Sequence, residues 1–179
     1  ALPICPKIKA KFAAFGMTKR AGRSASNDPG IAALLDAKAD TITFVAKTWD
    51  YHVHVALGCT LDENIEGIAD SVAHVRKQNR EVILDCEHFF DGYKANRDYA
   101  LSCVKTAYES GARWIVLCDT NGGTLPSEVG RVVREVVASV LKHAGVAPKV
   151  VWDASRPAGE ARKVAATSIG RAPIDSKAC

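Results

Sequence analysis

The sequence predicts an α/β fold: part of a TIM (β/α)8 barrel, about four βα units long, followed by an irregular C-terminal tail. Three observations carry this. Short apolar, β-branched runs alternate four times with amphipathic segments, the pattern of a parallel sheet covered by helices. The glycine fingerprint G-x-G-x-x-G of the dinucleotide-binding sheets is absent. Polar residues cluster just after the strands, at Lys47–His54, Asp85–Asp91 and Asp119–Asn121, where barrel chemistry sits. A complete barrel takes roughly 250 residues, so four units make about half of one.

The elements follow in order. IKAKFAAFG (8–16) reads as a strand ending in glycine. DPGIAALLDAKA (28–39) reads as a helix, with Asp28 as N-cap and Pro29 at the first helical position. TITFVAK (41–47) is a β-branched strand. In the helix 60–78, Leu61, Ile65, Ile68, Val72 and Val75 recur at three- and four-residue steps, and Thr60 with Glu63 forms a capping box. EVILDCE (81–87) is a strand, 97–112 a helix closed by Gly111, and RWIVLCDT (113–120) a strand. The last helix, 126–145, has Pro126 near its start and Gly145 just past its end. After Trp152 no period survives, and the tail 150–179 is rich in Ala, Arg, Ser and Pro. The expected division is therefore a barrel part over 1–149 and an irregular tail over 150–179.

Composition narrows the class. The chain has 179 residues, 47% of them hydrophobic, which suits one folded domain. No apolar run approaches the roughly 18 residues of a membrane span, and the first residues lack the apolar core of a secretory signal. The net charge is +4, and most of it lies in the tail, so no basic stripe marks a nucleic-acid surface. The 6 cysteines form no C-x-x-C pair, and Cys86 and Cys118 read as buried thiols. These features predict a reduced, cytoplasmic setting, with neither membrane nor nucleic acid as partner.

Three stretches could carry chemistry. In DCEHFFDGYKAN (85–96), Asp85 and Glu87 share one face of a strand. A carboxylate there either moves a proton at a barrel mouth or caps the next helix. In WDYHVHV (49–55), His52 and His54 would point the same way on a strand, as paired metal ligands do. One metal wants three or four ligands, and a packing or solvated role competes. CDTNGGTLP (118–126) sets Asp119, Thr120 and Asn121 before two glycines. It is a substrate loop, a phosphate cradle without its lysine, or a plain turn with a helix cap.

Taken together, FGMTKRAG, VAKTWDYHV, the run from Thr60 to Leu101 and GARWIVLCDTNGGTLPSEV resemble the catalytic barrels of the 2-isopropylmalate, homocitrate and citramalate synthase family. The likeness to the citramalate branch is strongest in EHFFDGYKAN and LCDTNGGTLP, and it runs from about Lys7 to Gly145. The resemblance implies condensation of acetyl-CoA with a 2-oxo acid, pyruvate in the citramalate branch, whose product feeds isoleucine synthesis. It implies a divalent metal (Mg, Mn or Zn) that polarises the oxo acid, and a homodimer when intact. By resemblance, Glu87 and His52 are the catalytic candidates, and Thr120, Asp119 and Asn121 the substrate-binding ones. Thr120 matches the residue that holds the oxo-acid carboxylate. His54 matches no family ligand.

The chain also departs from the pattern. The family's metal-binding Asp-Arg pair after its first strand has no counterpart before Lys7, and its H-x-H-N-D stretch has none after Gly145. No metal ligand is therefore assigned, and no metal is expected to bind well. The expectation is an incomplete, inactive piece of a synthase, cut at its start and diverted at its end. The alternatives are a 2-isopropylmalate synthase, of leucine synthesis, and a non-catalytic half-barrel that pairs with another copy or a relative.

Overall fold

The computed structural model of the chain describes residues 10–145. The tail expected at 150–179 and the first residues of the expected strand 8–16 lie outside the described residues.

Four parallel strands form one sheet in the order β1-β2-β3-β4. They are β1 Ala13–Met17, β2 Thr41–Lys47, β3 Glu81–Glu87 and β4 Trp114–Leu117. Helices α1 Pro29–Asp36, α3 Leu61–Lys77 and α5 Arg97–Glu109 make the crossovers, and α6 Pro126–His143 follows β4. Sequential strands pair with their chain neighbours throughout, which is the winding of a barrel rather than of a doubly wound sheet. The expected partial (β/α)8 barrel is what the chain forms.

The sheet's two faces differ. On β2, Ile42, Phe44 and Ala46 are buried, and on β3 so are Val82, Leu84 and Cys86. These residues meet α3 and α5, whose inner faces supply Ile68, Val72, Val75, Ala100, Cys103, Val104 and Ala107. Full burial of each large apolar side chain contributes about 1.5–3 kcal/mol. The alternate residues face the barrel interior and, apart from the buried Thr41, are only half-buried on β2 and β3. On β1, Phe15 and Met17 on that face are 63% and 48% exposed.

The end signals read correctly. Asp28 accepts hydrogen bonds from Gly30 and Ile31, Pro29 opens α1, and the Thr60–Glu63 capping box is complete. Gly111 and Gly145 take positive φ just beyond α5 and α6. Three readings need correction. The stretch after β2 is not extended: α2 Asp50–His52 runs into a π-helical turn at Val53–Leu57, closed by Gly58 N–H donating to Val53 O at 3.0 Å. Strand β4 stops at Leu117, because Asp119 folds back to accept from Thr124. And α4 Phe89–Ala95 occupies what had no helical assignment; Phe89 and Phe90 anchor it in the core. Among the described residues, no helix is long and apolar enough to cross a membrane.

Gly92 explains where α4 lies. A Cβ there would come within 2.4 Å of Thr48 O and 2.8 Å of Trp49 Cα, so only glycine lets this helix rest on the β2–α2 connection. Gly92→Ala is expected to destabilise the chain by about 1–3 kcal/mol, the usual cost of overpacking. Gly123→Ala, at a position open to solvent without positive φ, is expected to leave stability unchanged. Urea unfolding of both variants checks the contrast.

Candidate functional site

The site grows from the last residues of β2 and β3. The register pairs Lys47 with Glu87, and their side chains form an ion pair on the open face at the strands' C-terminal ends. Thr48, fully buried, donates to the Glu87 carbonyl at 2.9 Å and ties the two strand ends together. Asp85 shares the face of Glu87, as the alternation predicts, with Val45 and Val116 as its register neighbours. Burial among them pushes its carboxyl above the ordinary value.

His88 then turns the chain. It adopts φ 51°, a left-handed conformation uncommon outside glycine. The turn starts α4 and brings the His88 ring against the loop after β2, 4.6 Å from the His52 ring centroid and 5.9 Å from that of Trp49. His88 Nδ1 lies 3.4 Å from Asp91 Oδ2. The β4–α6 turn completes the mouth. Thr120 Oγ1 accepts from the His88 N–H at 2.9 Å, and Asn121 Nδ2 donates to Asp91 Oδ2 at 2.9 Å. Asp119 faces its own loop, accepting from Thr124 N–H at 3.1 Å and from Thr124 Oγ1 at 2.9 Å. Of the two glycines, Gly122 takes positive φ and Gly123 does not.

Every residue singled out for the site therefore reaches the same end of the sheet. Glu87 and His52 come from adjacent strand ends, and Thr120 and Asn121 join them through His88 and Asp91. Asp119 shapes the turn. His54 does not join: on a helical turn, residues two apart diverge, and His54 is exposed. Cys118 is half-buried rather than fully buried; burial and the nearby Asp85 and Glu87 push its thiol up to about 11. Sequence reasoning passed over Lys47, His88 and Asp91 as individual site residues. A lysine closing an apolar strand was the visible signal for the first. The other two depend on the turn at 88, which no local pattern announces.

The electrostatics centre on His52. Burial, then the neighbouring His88 and Lys47, hold its imidazole below the ordinary value of 6.5, with Glu87 and Asp91 opposing. Its Nδ1 is the one buried side-chain N or O atom without a hydrogen-bond partner among the described residues. A ring biased toward its neutral form, with a buried and unpaired nitrogen, is thus held beside the Lys47–Glu87 pair. No group of three or more His, Cys, Asp or Glu side chains that could hold a metal gathers among the described residues. Glu87 is taken by Lys47, and Asp91 by His88 and Asn121. This donor set does not fit a divalent ion, and no step is drawn through one.

His52 is expected to titrate below 6.5 in histidine NMR spectra of the folded chain. The unfolded chain then takes up this proton first as pH falls. The linked stability is fully present above about pH 6.5 and declines as pH drops toward the folded value. His52→Gln is expected to remove that part of the acid slope in unfolding measured against pH.

Comparison with known proteins shows the family of the chain. Residues 11–150 match the HMGL-like family model. The chain is 53% identical over 137 residues to an (R)-citramalate synthase of Streptomyces coelicolor, covering 76% of this chain and 26% of that protein. To the (R)-citramalate synthase of Geobacter sulfurreducens it is 47% identical over 138 residues, 77% of this chain and 26% of that one. A 2-isopropylmalate synthase of Caulobacter vibrioides is 35% identical over 104 residues, 58% of this chain and 19% of that protein. The chain thus spans about a quarter of the length of the citramalate synthases it matches. Among solved structures, the HMG-CoA lyase of Brucella melitensis superposes with a TM-score of 0.57 at 18% identity, over 77% of this chain and 44% of that one. The hydroxymethylglutaryl-CoA lyase of Pseudomonas aeruginosa gives a TM-score of 0.52 at 15% identity, over 74% and 41%. Identities this low speak for the fold alone. The family match runs through all four strands and every loop of the mouth, and the chain belongs to the HMGL-like family.

Proposed function

We propose that residues 11–145 form one wall of the active site of a citramalate synthase, which condenses acetyl-CoA with pyruvate. The observation that carries the reading is the hydrogen bond that ties Thr120 to the His88 N–H, one residue past Glu87, inside a segment 53% identical to an (R)-citramalate synthase. Thr120 accepts from the His88 N–H, so its own hydroxyl proton is free to donate, and the residue is exposed. That donor suits the carboxylate of an oxo acid. Glu87, steered by Lys47, takes a proton from the methyl of acetyl-CoA. The electron pair of that C–H bond becomes a C–C bond to the keto carbon of pyruvate, and the keto oxygen gains a proton. Water then cleaves the thioester, giving citramalate and the CoA thiol. His52, its imidazole held below the ordinary value by burial and its buried Nδ1 unpaired, packs its ring against His88 at the edge of this mouth. Asn121 and Asp119 hold the loop that presents Thr120.

The higher identity to citramalate synthases, 53% against 35% for a 2-isopropylmalate synthase, favours pyruvate over the bulkier oxo acid. A hybrid tests this: residues 11–145 replace the matching segment of the Streptomyces coelicolor enzyme. It is expected to release CoA with pyruvate and far less with 3-methyl-2-oxobutanoate, the acid whose side chain 2-isopropylmalate carries. Glu87→Gln in the hybrid is expected to lower kcat about 100-fold or more, the usual weight of a general base. A folded hybrid that prefers the branched acid, or is inactive with both, overturns the reading.

The 179-residue chain by itself is proposed to have little synthase activity, because its described residues gather no donor set for the metal that the family resemblance implies. Thiol release from acetyl-CoA and pyruvate with Mg²⁺ or Mn²⁺ present is expected to stay at background. Metal-dependent release by the purified chain would contradict this.

A further inference from the structure

His88 makes more contacts than a turn residue needs. It holds a left-handed backbone at φ 51°, which costs a non-glycine residue about 1–2 kcal/mol. Such strain persists only where the surroundings impose it. Its backbone N–H serves Thr120, its Nδ1 faces Asp91, and Asn121 bonds the same Asp91 oxygen. Its ring stands edge-on to His52, with an interplanar angle of 88°. With Nδ1 facing the carboxylate, Nε2 makes no hydrogen bond among the described residues. The His88 side chain is 16% exposed. A base oriented by a third group is the usual build of an acid–base residue.

We propose that His88 is a second acid–base group of this mouth, oriented by Asp91 and Asn121, which gives a proton to the keto oxygen of the bound 2-oxo acid. The inference rests on the synthase reading above. Glu87 takes the methyl proton, and the C–H pair forms the new C–C bond. The carbonyl π pair moves onto oxygen, which takes the Nε2 proton of the imidazolium. Glu87 ends protonated, His88 ends neutral, and solvent resets both. Asp91 stays ionised and keeps the ring in place. The other charged groups around the His52–His88 pair are Lys47 and Glu87. The ion pair holds those two together.

Two measurements decide it. Long-range proton–nitrogen NMR spectra of the full 179-residue chain are expected to place the proton of neutral His88 on Nδ1. Asp91→Asn is expected to remove that preference, so that the Nε2–H tautomer of neutral His88 gains population. A proton on Nε2 in the unsubstituted chain, or a tautomer indifferent to Asp91→Asn, overturns the proposal. In the hybrid synthase, His88→Asn keeps a side chain that tolerates the left-handed backbone. It is expected to lower kcat about 100-fold, to leave the KM for pyruvate unchanged and to abolish the alkaline limb of the pH profile. Asp91→Asn is expected to lower kcat in the same direction, by less than His88→Asn does. An active hybrid in which both variants keep kcat and the pH profile overturns this proposal alone. A folded hybrid with no synthase activity overturns the functional reading, and this one with it.

Discussion

The register between β2 and β3 is the constraint on which the rest of the molecule depends. Helices cover one face of the sheet, so Ile42, Phe44, Ala46, Val82, Leu84 and Cys86 must all point toward them. Side chains alternate with a period of two, and a slip of one residue would send this set to the open face. The same register places Lys47 opposite Glu87. The ion pair at the mouth is thus held by burial on the opposite face, several kcal/mol of it, and not by its own attraction, which is modest for half-exposed groups.

A second constraint comes from one missing side chain. Gly92 lets α4 sit directly on the Thr48–Trp49 backbone. With α4 seated there, and Phe89 and Phe90 buried beneath it, the chain between Glu87 and Phe89 has little choice of path. His88 absorbs the turn in a left-handed conformation. It also stands where loops after β2, β3 and β4 meet, touching His52 and Trp49 on one side and Thr120 on the other. The left-handed backbone and the junction of three loops thus coincide at this residue.

The polar groups of the mouth are ordered by one another rather than by the sheet. Asn121 holds Asp91, Asp91 holds His88, and His88 holds Thr120 through its main chain. Asp119 tethers its own loop through Thr124. His52 stands apart, with Nδ1 unpaired and its ring kept neutral by burial and by the neighbouring His88 and Lys47. Such a network is stiff, because each member satisfies the next, and it leaves the Thr120 hydroxyl exposed at the mouth.

The sequence by itself determined the framework. Short apolar, β-branched runs and three-to-four-residue apolar spacings marked four βα units, and Asp28, the Thr60–Glu63 box, Gly111 and Gly145 marked helix ends. These signals are local, since each depends on residues within a few positions. The placement of Glu87 at a strand end followed from the same alternation. The tertiary structure decided what depends on distant partners. His52 and His54 parted company because the segment after β2 coils into a π turn, which alternating Val and His had disguised as a strand. The helix α4, the turn at His88 and the pairing of Asp91 with Asn121 exist because Gly92 meets Thr48 and the β4–α6 turn folds back over β3, contacts that join residues 30 to 44 positions apart. Apolar period reports which face is buried. It carries no information about which loops then touch, and the chemistry of this mouth is made by those contacts.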